Sequence, residues 1–547
     1  MMSLRPHSHS ADTISAAIVL SSLLLAACGT PVVSIQLTLA TRACGASSGP
    51  SSFDPVAGVD TLHFKITGDG ISAIALDTPF STGAAQLPNI PLGANRRIVV
   101  SALVKGQVRA RADSGPFDVL GPDDVHLTLF LRVLDAFTPS AGISGGACSR
   151  MSTTRAGHSM VQLPDGRVLI TGGFSLDGNG LLHYHADAEF FDPATGLFSA
   201  AAASPQLARS GHAALPVQLG GNGPGILLIG GEGQGAGSSA TAVRPLDLFE
   251  NGAWMSPALP ALPESPAREH AAAAVDLKTG DVVIAGGQSG PDGSGPTVFD
   301  SVSWFDPQQQ IVHDAGARLV GRLTDAVAVP RINQPRGGAQ LGGIVLVGGR
   351  DATGAALAQV SGLVFSEAQH DYVLDGSLGG LVLPSPRVKH GAVRLLDDTI
   401  LVAGGLTQSS SDYANATAAV TIVDPGKGTA LDVAQLSVAR GDACTVLLED
   451  GEVLVAGGAA SDANQLLASS STAEIIAPAG PNQSVTSVRL LQGPTTGAWG
   501  LRDSRHRAAC LRLRDGSVLV TGGLQYQAGG GVVALDSAEI YTPASAR

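Results

Sequence analysis

Apolar and polar positions alternate along residues 59–133 with the period of two that half-buried strands require. Leu62, Phe64 and Ile66 interleave with His63, Lys65 and Thr67, and Val125, Leu127, Leu129, Leu131 and Val133 share one face. Lys105-Gly106 joins two such runs as a two-residue hairpin connection. Further on the pattern changes and begins to repeat. A tight turn, a short all-apolar run and a glycine pair occur as "DGRVLITGG", "PGILLIGG", "GDVVIAGG", "GGIVLVGG", "DDTILVAGG", "DGEVLVAGG" and "DGSVLVTGG". An arginine precedes each copy: Arg155, Arg209, Arg268, Arg322, Arg387, Arg440 and Arg505, spaced 53 to 65 residues apart. The uninterrupted apolar run predicts a strand covered on both faces. After the glycines come a polar loop and then a third strand ending in a turn, as in "AEFFDPATG" and "TIVDPGKG".

A period of this size signals a propeller or a solenoid. Gly-Gly after the second strand resembles the kelch repeat, over roughly residues 140–547, although the regular Tyr and Trp of many kelch repeats are missing and only Trp254 stands at the expected fourth-strand place. The resemblance implies an all-β chain: an N-terminal β-sandwich over 28–137, then a seven-bladed kelch-type β-propeller over 138–547. The sandwich resembles transthyretin-like or fibronectin-like modules in pattern. Too few residues follow Thr542-Pro543 for a fourth strand in the last blade, so closure by an N-terminal strand near 145–151 is expected. Met151, like Leu383 and Leu436, lies four residues before its arginine. Six blades plus a decayed copy is the other reading.

The N-terminus adds a destination. "ISAAIVLSSLLLAAC" is an apolar run of signal-peptide length. Leu25-Ala26-Ala27-Cys28 resembles a bacterial lipobox, which implies a signal peptide over 1–27 and a diacylglycerol with further acylation, palmitate included, on Cys28. Gly29 after it favours the outer membrane within that resemblance. The expected partner is therefore a membrane, reached through the lipid anchor, with the chain monomeric. A net charge of −13 and only 14 % charged residues argue against nucleic acid as a partner. Four more cysteines stand in a chain expected to be exported. Cys444 and Cys510 lie four and five residues after their arginines, on opposite strand faces of neighbouring repeats. A disulfide between them is one reading and two buried thiols the other; Cys44 and Cys148 bracket the first domain.

The seven arginines are the leading candidate for a binding surface, since the kelch resemblance puts the start of the innermost strand near a channel mouth. Gathered there they would hold carboxylates or sulfates. Alternatively each arginine bonds carbonyls or acidic residues of the next blade. His158, His212 and His390, three residues after their arginines, are expected to cap or bridge strands within their blades. His183 and His185 in "HYH" offer two metal ligands without a third, so no metal and no cofactor is expected.

Domain order resembles galactose oxidase, but Tyr184, Tyr372, Tyr413, Tyr526 and Tyr541 match none of its copper-site pattern. The sialidase Asp box is absent, and no helix follows "GEGQGAG" to accept a phosphate. No catalytic residue is predicted. The expected function is a non-enzymatic module binding a protein or polysaccharide; the alternative is a galactose-oxidase-like envelope enzyme, a carbohydrate oxidase or hydrolase.

Overall fold

The computed structural model describes residues 18–20, 35–40, 55–80, 90–120, 125–140, 147–205, 207–221, 223–234, 240–242, 246–255, 268–290, 296–332, 342–409, 413–461, 466–479, 486–491, 500–527 and 529–544. The fold is all-β, built of many antiparallel sheets. Cys28 and Cys44 lie outside the described residues. The chain divides into two compact units.

The first unit takes in residues up to Leu134 together with Thr138–Ser149 and Ala194–Leu197. One sheet runs in the order Ile74–Pro79, Thr61–Thr67, Gly93–Val104, Gln107–Asp113, Arg132–Val133. Leu62, Phe64, Ile66, Ile98 and Val100 turn inward from it and share a core with Leu37, Leu39 and Leu129 of a second, smaller sheet. Alternation sets this register, because a one-residue slip would expose every one of those side chains. Lys105 and Gly106 both have positive φ, 51° and 79°, as a tight hairpin turn demands. Ile18–Leu20, from the apolar N-terminal run, pairs with Ile35–Ala40 at the edge of the smaller sheet. Cys148 is disulfide-bonded.

The second unit comprises Asp135–Phe137, Arg150–Pro193 and Phe198–Arg547. Each repeat folds as its own antiparallel sheet. The first has the order Ser159–Gln162, Val168–Thr171, Ala188–Asp192, Leu197–Ala200, and the others follow the same plan. Second strands such as Val168–Thr171, Val282–Ala285 and Val453–Ala456 are buried at every residue. Neighbouring sheets cover them from both sides, and each Val, Leu or Ile so buried contributes about 1.5–3 kcal/mol. First strands lie side by side in chain order, and the seventh, Ala509–Arg512, packs beside the first, Ser159–Gln162.

The recurrent glycine pair is explained by this packing. Both glycines have positive φ in every repeat, for example Gly172 at 63° and Gly173 at 91°. A Cβ on Gly172 would sit 2.2 Å from the Arg209 carbonyl oxygen, so no side chain fits. The second glycine donates its N–H to the carbonyl of the residue that opens the next repeat: Gly173 to Arg209 at 2.8 Å, Gly405 to Arg440 at 2.8 Å, Gly458 to Arg505 at 2.8 Å. Gly523 of the last repeat returns to Arg155 of the first at 2.9 Å. These bonds stitch each sheet to the next.

The strand completing the seventh sheet differs from the expectation. It is Ala136–Pro139, paired beside Ala538–Thr542, and not the segment near 145–151. Asp135 N–H donates to Thr542 O at 2.8 Å and Phe137 packs on Tyr541 with ring centroids 5.3 Å apart. Residues 135–137 thus belong to the repeat unit, whereas Thr138–Ser149 fall in the first unit rather than at the head of the second. Met151 is an apolar plug: it is buried among Val168, Leu519 and Ile540 of the first and last repeats. Leu319, Leu383, Leu436 and Leu501 are buried in the cores of other repeats. The offset of four residues before the arginine marks an apolar plug, which in one repeat, at Leu383, also lies in a strand, Val382–Arg387.

Candidate functional site

The arginine row is interior. Arg155, Arg209, Arg268, Arg387, Arg440 and Arg505 are at most 1 % exposed. In five of them, all but Arg387, Nη1 donates to the first glycine carbonyl of the same repeat, for example Arg155 to Gly172 at 2.7 Å, Arg440 to Gly457 at 2.8 Å and Arg505 to Gly522 at 2.8 Å. In four of them Nη2 reaches an acid on the third strand: Glu189 at 2.7 Å, Asp247 at 2.5 Å, Glu474 at 2.6 Å and Glu539 at 2.8 Å from Arg155, Arg209, Arg440 and Arg505, whereas Arg268 donates to the Ser301 hydroxyl and Arg387 to that of Thr421. These acids belong to the same repeat, not the next. The expectation of a guanidinium-lined mouth is corrected accordingly, because these charged heads are turned into the sheets. Arg322 is a further correction: it is exposed. Leu323 fills the slot, receiving the Gly287 N–H at 2.8 Å. Alignment by arginine put that repeat one residue early.

Two residues beyond each slot the chain turns into the left-handed region in all seven repeats. Gly157 and Gly211 have φ of 62° and 63°; His270, Asp325, Lys389, Asp442 and Arg507 have φ of 54°, 56°, 54°, 53° and 53°. A non-glycine residue there costs about 1–3 kcal/mol, a strain that clusters at functional sites. The turn lets neighbouring repeats bond through their backbones. Gly211 N–H donates to Gly157 O at 2.8 Å, Asp325 to His270 at 3.0 Å, Asp442 to Lys389 at 2.9 Å and Arg507 to Asp442 at 3.1 Å. Gly157 closes onto Arg507 at 3.4 Å. Five of the seven successive pairs are bonded in this way, and the side-by-side first strands bring all seven residues into one ring, with half-buried His, Asp, Lys, Asp and Arg side chains on it.

Their charges interlock. His270 Nδ1 lies 3.0 Å from Asp325, and Asp325 also pairs with Arg350. Burial opposes charge on His270, but Asp325, with Glu269 and Glu232 behind it, outweighs burial and raises its pKa to about 9. Lys389 Nζ is 3.2 Å from Asp442, which also accepts the Tyr413 hydroxyl. Burial works against the Asp442 carboxylate, yet Lys389 and Arg507 hold its pKa below the ordinary value. The Arg507 guanidinium sits over Phe174, 5.4 Å from the ring centroid. His506 stacks on Tyr526 at 4.7 Å and meets Tyr413 edge-on at 5.9 Å; burial lowers its pKa to about 4.

Beneath the ring, each repeat makes one isolated bridge between the residue after the arginine slot and the residue after the glycine pair. The pairs are Ala156–Phe174, Ser210–Glu232, Glu269–Gln288, Thr324–Arg350, Val388–Leu406, Gly441–Ala459 and His506–Leu524. Repeats two to four therefore present polar residues, while the others are mainly apolar and gather into small clusters around Val388, Leu406 and Ala459 and around Ala156, Phe174 and Leu524. In the polar sector, ligand atoms of Glu232, Glu269 and His270 all lie within 4.8 Å of one another.

The other residues singled out in the sequence stand apart from this ring or serve its frame. His158 Nε2 lies 2.7 Å from Thr521 and His212 Nε2 2.9 Å from Thr171. Each bond crosses to the preceding repeat instead of staying within one blade. Val347 stands where His390 would find such a threonine. Burial, with the nearby arginine charge, lowers His158 and His390 to about 3 and His212 well below its ordinary value. His183 and His185 lean towards different acids, Asp177 and Asp187, each at 3.7 Å. Cys444 and Cys510 form a disulfide with Cα atoms 5.9 Å apart. Tyr372 and Tyr541 are buried on Asp276 and Asp135, whereas Tyr413 and Tyr526 flank His506. The ring itself was missed; its signal was the position two after each arginine, where glycine alternates with His, Asp, Lys and Arg.

No family model matches the chain, and no curated protein matches it. Among solved structures, one titled "Structure of YjhT" is similar at 14 % identity with a TM-score of 0.43, covering 62 % of this chain and 99 % of that one.

Proposed function

We propose that the seven repeats are the blades of a kelch-type β-propeller carried by an exported, lipid-anchored chain, and that this propeller is a non-catalytic module binding a protein or polysaccharide at the ring of left-handed residues. The observation that carries the reading is the strain at His270, Asp325, Lys389, Asp442 and Arg507. Glycine occupies the same backbone at Gly157 and Gly211 without that cost, so five side chains are held there at the expense of stability. Charged, half-buried groups beside the aromatic faces of Phe174, Tyr413 and Tyr526 suit a ligand with both polar and apolar surface.

The test is retention of the purified chain on immobilised envelope proteins and polysaccharides, with and without the substitutions Lys389→Gly, Asp442→Gly and Arg507→Gly together. Binding should fall tenfold or more while the melting temperature stays within a few degrees of the parent. Undiminished binding in a folded triple variant overturns the ring as the site. The anchor has its own test. Cys28→Ala should move the chain out of the membrane fraction, and full retention there would exclude acylation as the tether. Cleavage before Cys28 would also remove Ile18–Leu20, leaving Ile35–Ala40 paired with Val125–Phe130 alone.

A further inference from the structure

We infer that Glu232, Glu269 and His270 form a binding site for a first-row divalent cation of the zinc class in the polar sector below the ring. Three observations converge on it. Two carboxylates and one imidazole offer ligand atoms within 4.8 Å of one another, a spacing that one ion can bridge. Asp325 holds His270 by Nδ1 at 3.0 Å, the outer-shell carboxylate arrangement that orients a ligating imidazole and leaves its other nitrogen to the metal. Gln288 likewise donates to Glu269 Oε1 at 2.8 Å, fixing that carboxylate.

The third observation comes from the repeats themselves. Val388–Leu406 and Gly441–Ala459 make the same backbone bridge as Glu269–Gln288 with no charge at all. The fold therefore does not require carboxylates here. Mixed oxygen and nitrogen donors favour zinc or its first-row neighbours over calcium or magnesium. Three protein ligands leave at least one coordination position for water or a bound group.

The experiment uses the purified chain stripped with chelator and titrated with Zn²⁺, with Ca²⁺ as the contrast. Saturable uptake of one zinc per chain is expected, with a rise in melting temperature. Glu232→Gln and His270→Gln should each weaken uptake at least tenfold, and Asp325→Asn by about 10–100-fold, as outer-shell losses do. No saturable uptake by the parent chain, or uptake equal in the parent and the folded Glu232→Gln variant, overturns the site. If a variant fails to fold, Co²⁺ added to the parent decides: visible bands of a nitrogen- and oxygen-ligated ion are expected, and the spectrum of aqueous cobalt overturns the inference. Lys389→Gly should leave zinc uptake unchanged, so failure of the metal site and failure of ring binding are read separately.

Discussion

Two residues separate a row of arginines from a row of left-handed residues, and the rows obey opposite rules. The first is nearly constant from repeat to repeat, fully buried, and in most repeats bonded to a glycine carbonyl and a third-strand acid. The second varies among Gly, His, Asp, Lys and Arg on one strained backbone shape, with its side chains half in solvent. Repetition marks what every sheet needs in order to join the next. Variation on a fixed and costly geometry marks what the sheets hold up. If the ring is the binding site proposed above, the monotonous position is the poorer guide to function.

Four measurements would break or sharpen this contrast. Arg440→Ala leaves Glu474 buried and unpaired, so about 3–5 kcal/mol of stability should be lost, read as the shift of a denaturant midpoint. Removing the Cys444–Cys510 bridge, which spans 66 residues of sequence, should cost about 2–4 kcal/mol in the same assay. Acid offers a third handle. His158, His212 and His390 stay neutral in the folded chain because their pKa values are depressed, to about 3 for His158 and His390. The unfolded chain takes up protons below about 6.5, so stability should fall from there towards pH 3 by about 1.4 kcal/mol per pH unit for each histidine. His390→Leu should remove one proton from that slope, and an unaltered slope would mean that this ring already titrates in the fold. The smallest effect belongs to the ring. Lys389→Gly relieves backbone strain while losing an ion pair with Asp442, so stability should change by no more than about 1 kcal/mol. A loss as large as that of Arg440→Ala would make the two rows energetically alike.

Much of the frame was legible because burial imposes simple periods. Leu62, Phe64 and Ile66 could only face one way, and the apolar runs before each glycine pair could only be covered on both sides. The glycines themselves pointed to close approach, which the Arg209 carbonyl now accounts for. What escaped depended on three-dimensional closure. Nothing local distinguishes Ala136–Pro139 as the strand that completes a sheet begun almost four hundred residues later. The slip at Arg322 arose because Leu323 keeps the backbone role of the slot without its side chain. The ring was hidden for the reason that makes it interesting: its residues share a backbone angle and no chemistry. Glu232 and Glu269 come from different repeats, 37 positions apart, and meet only through the ring that sets their sheets side by side.

Pairing of Ala136–Pro139 with Ala538–Thr542 has a kinetic corollary. The earliest strand of the last sheet must wait, unmatched, while roughly four hundred residues are synthesised, a contact of very high sequence separation that slows folding. Until the final segment arrives, the assembly stays an unlatched arc whose two ends are open. The two ends of the repeat unit are joined last, when both strands are present to pair.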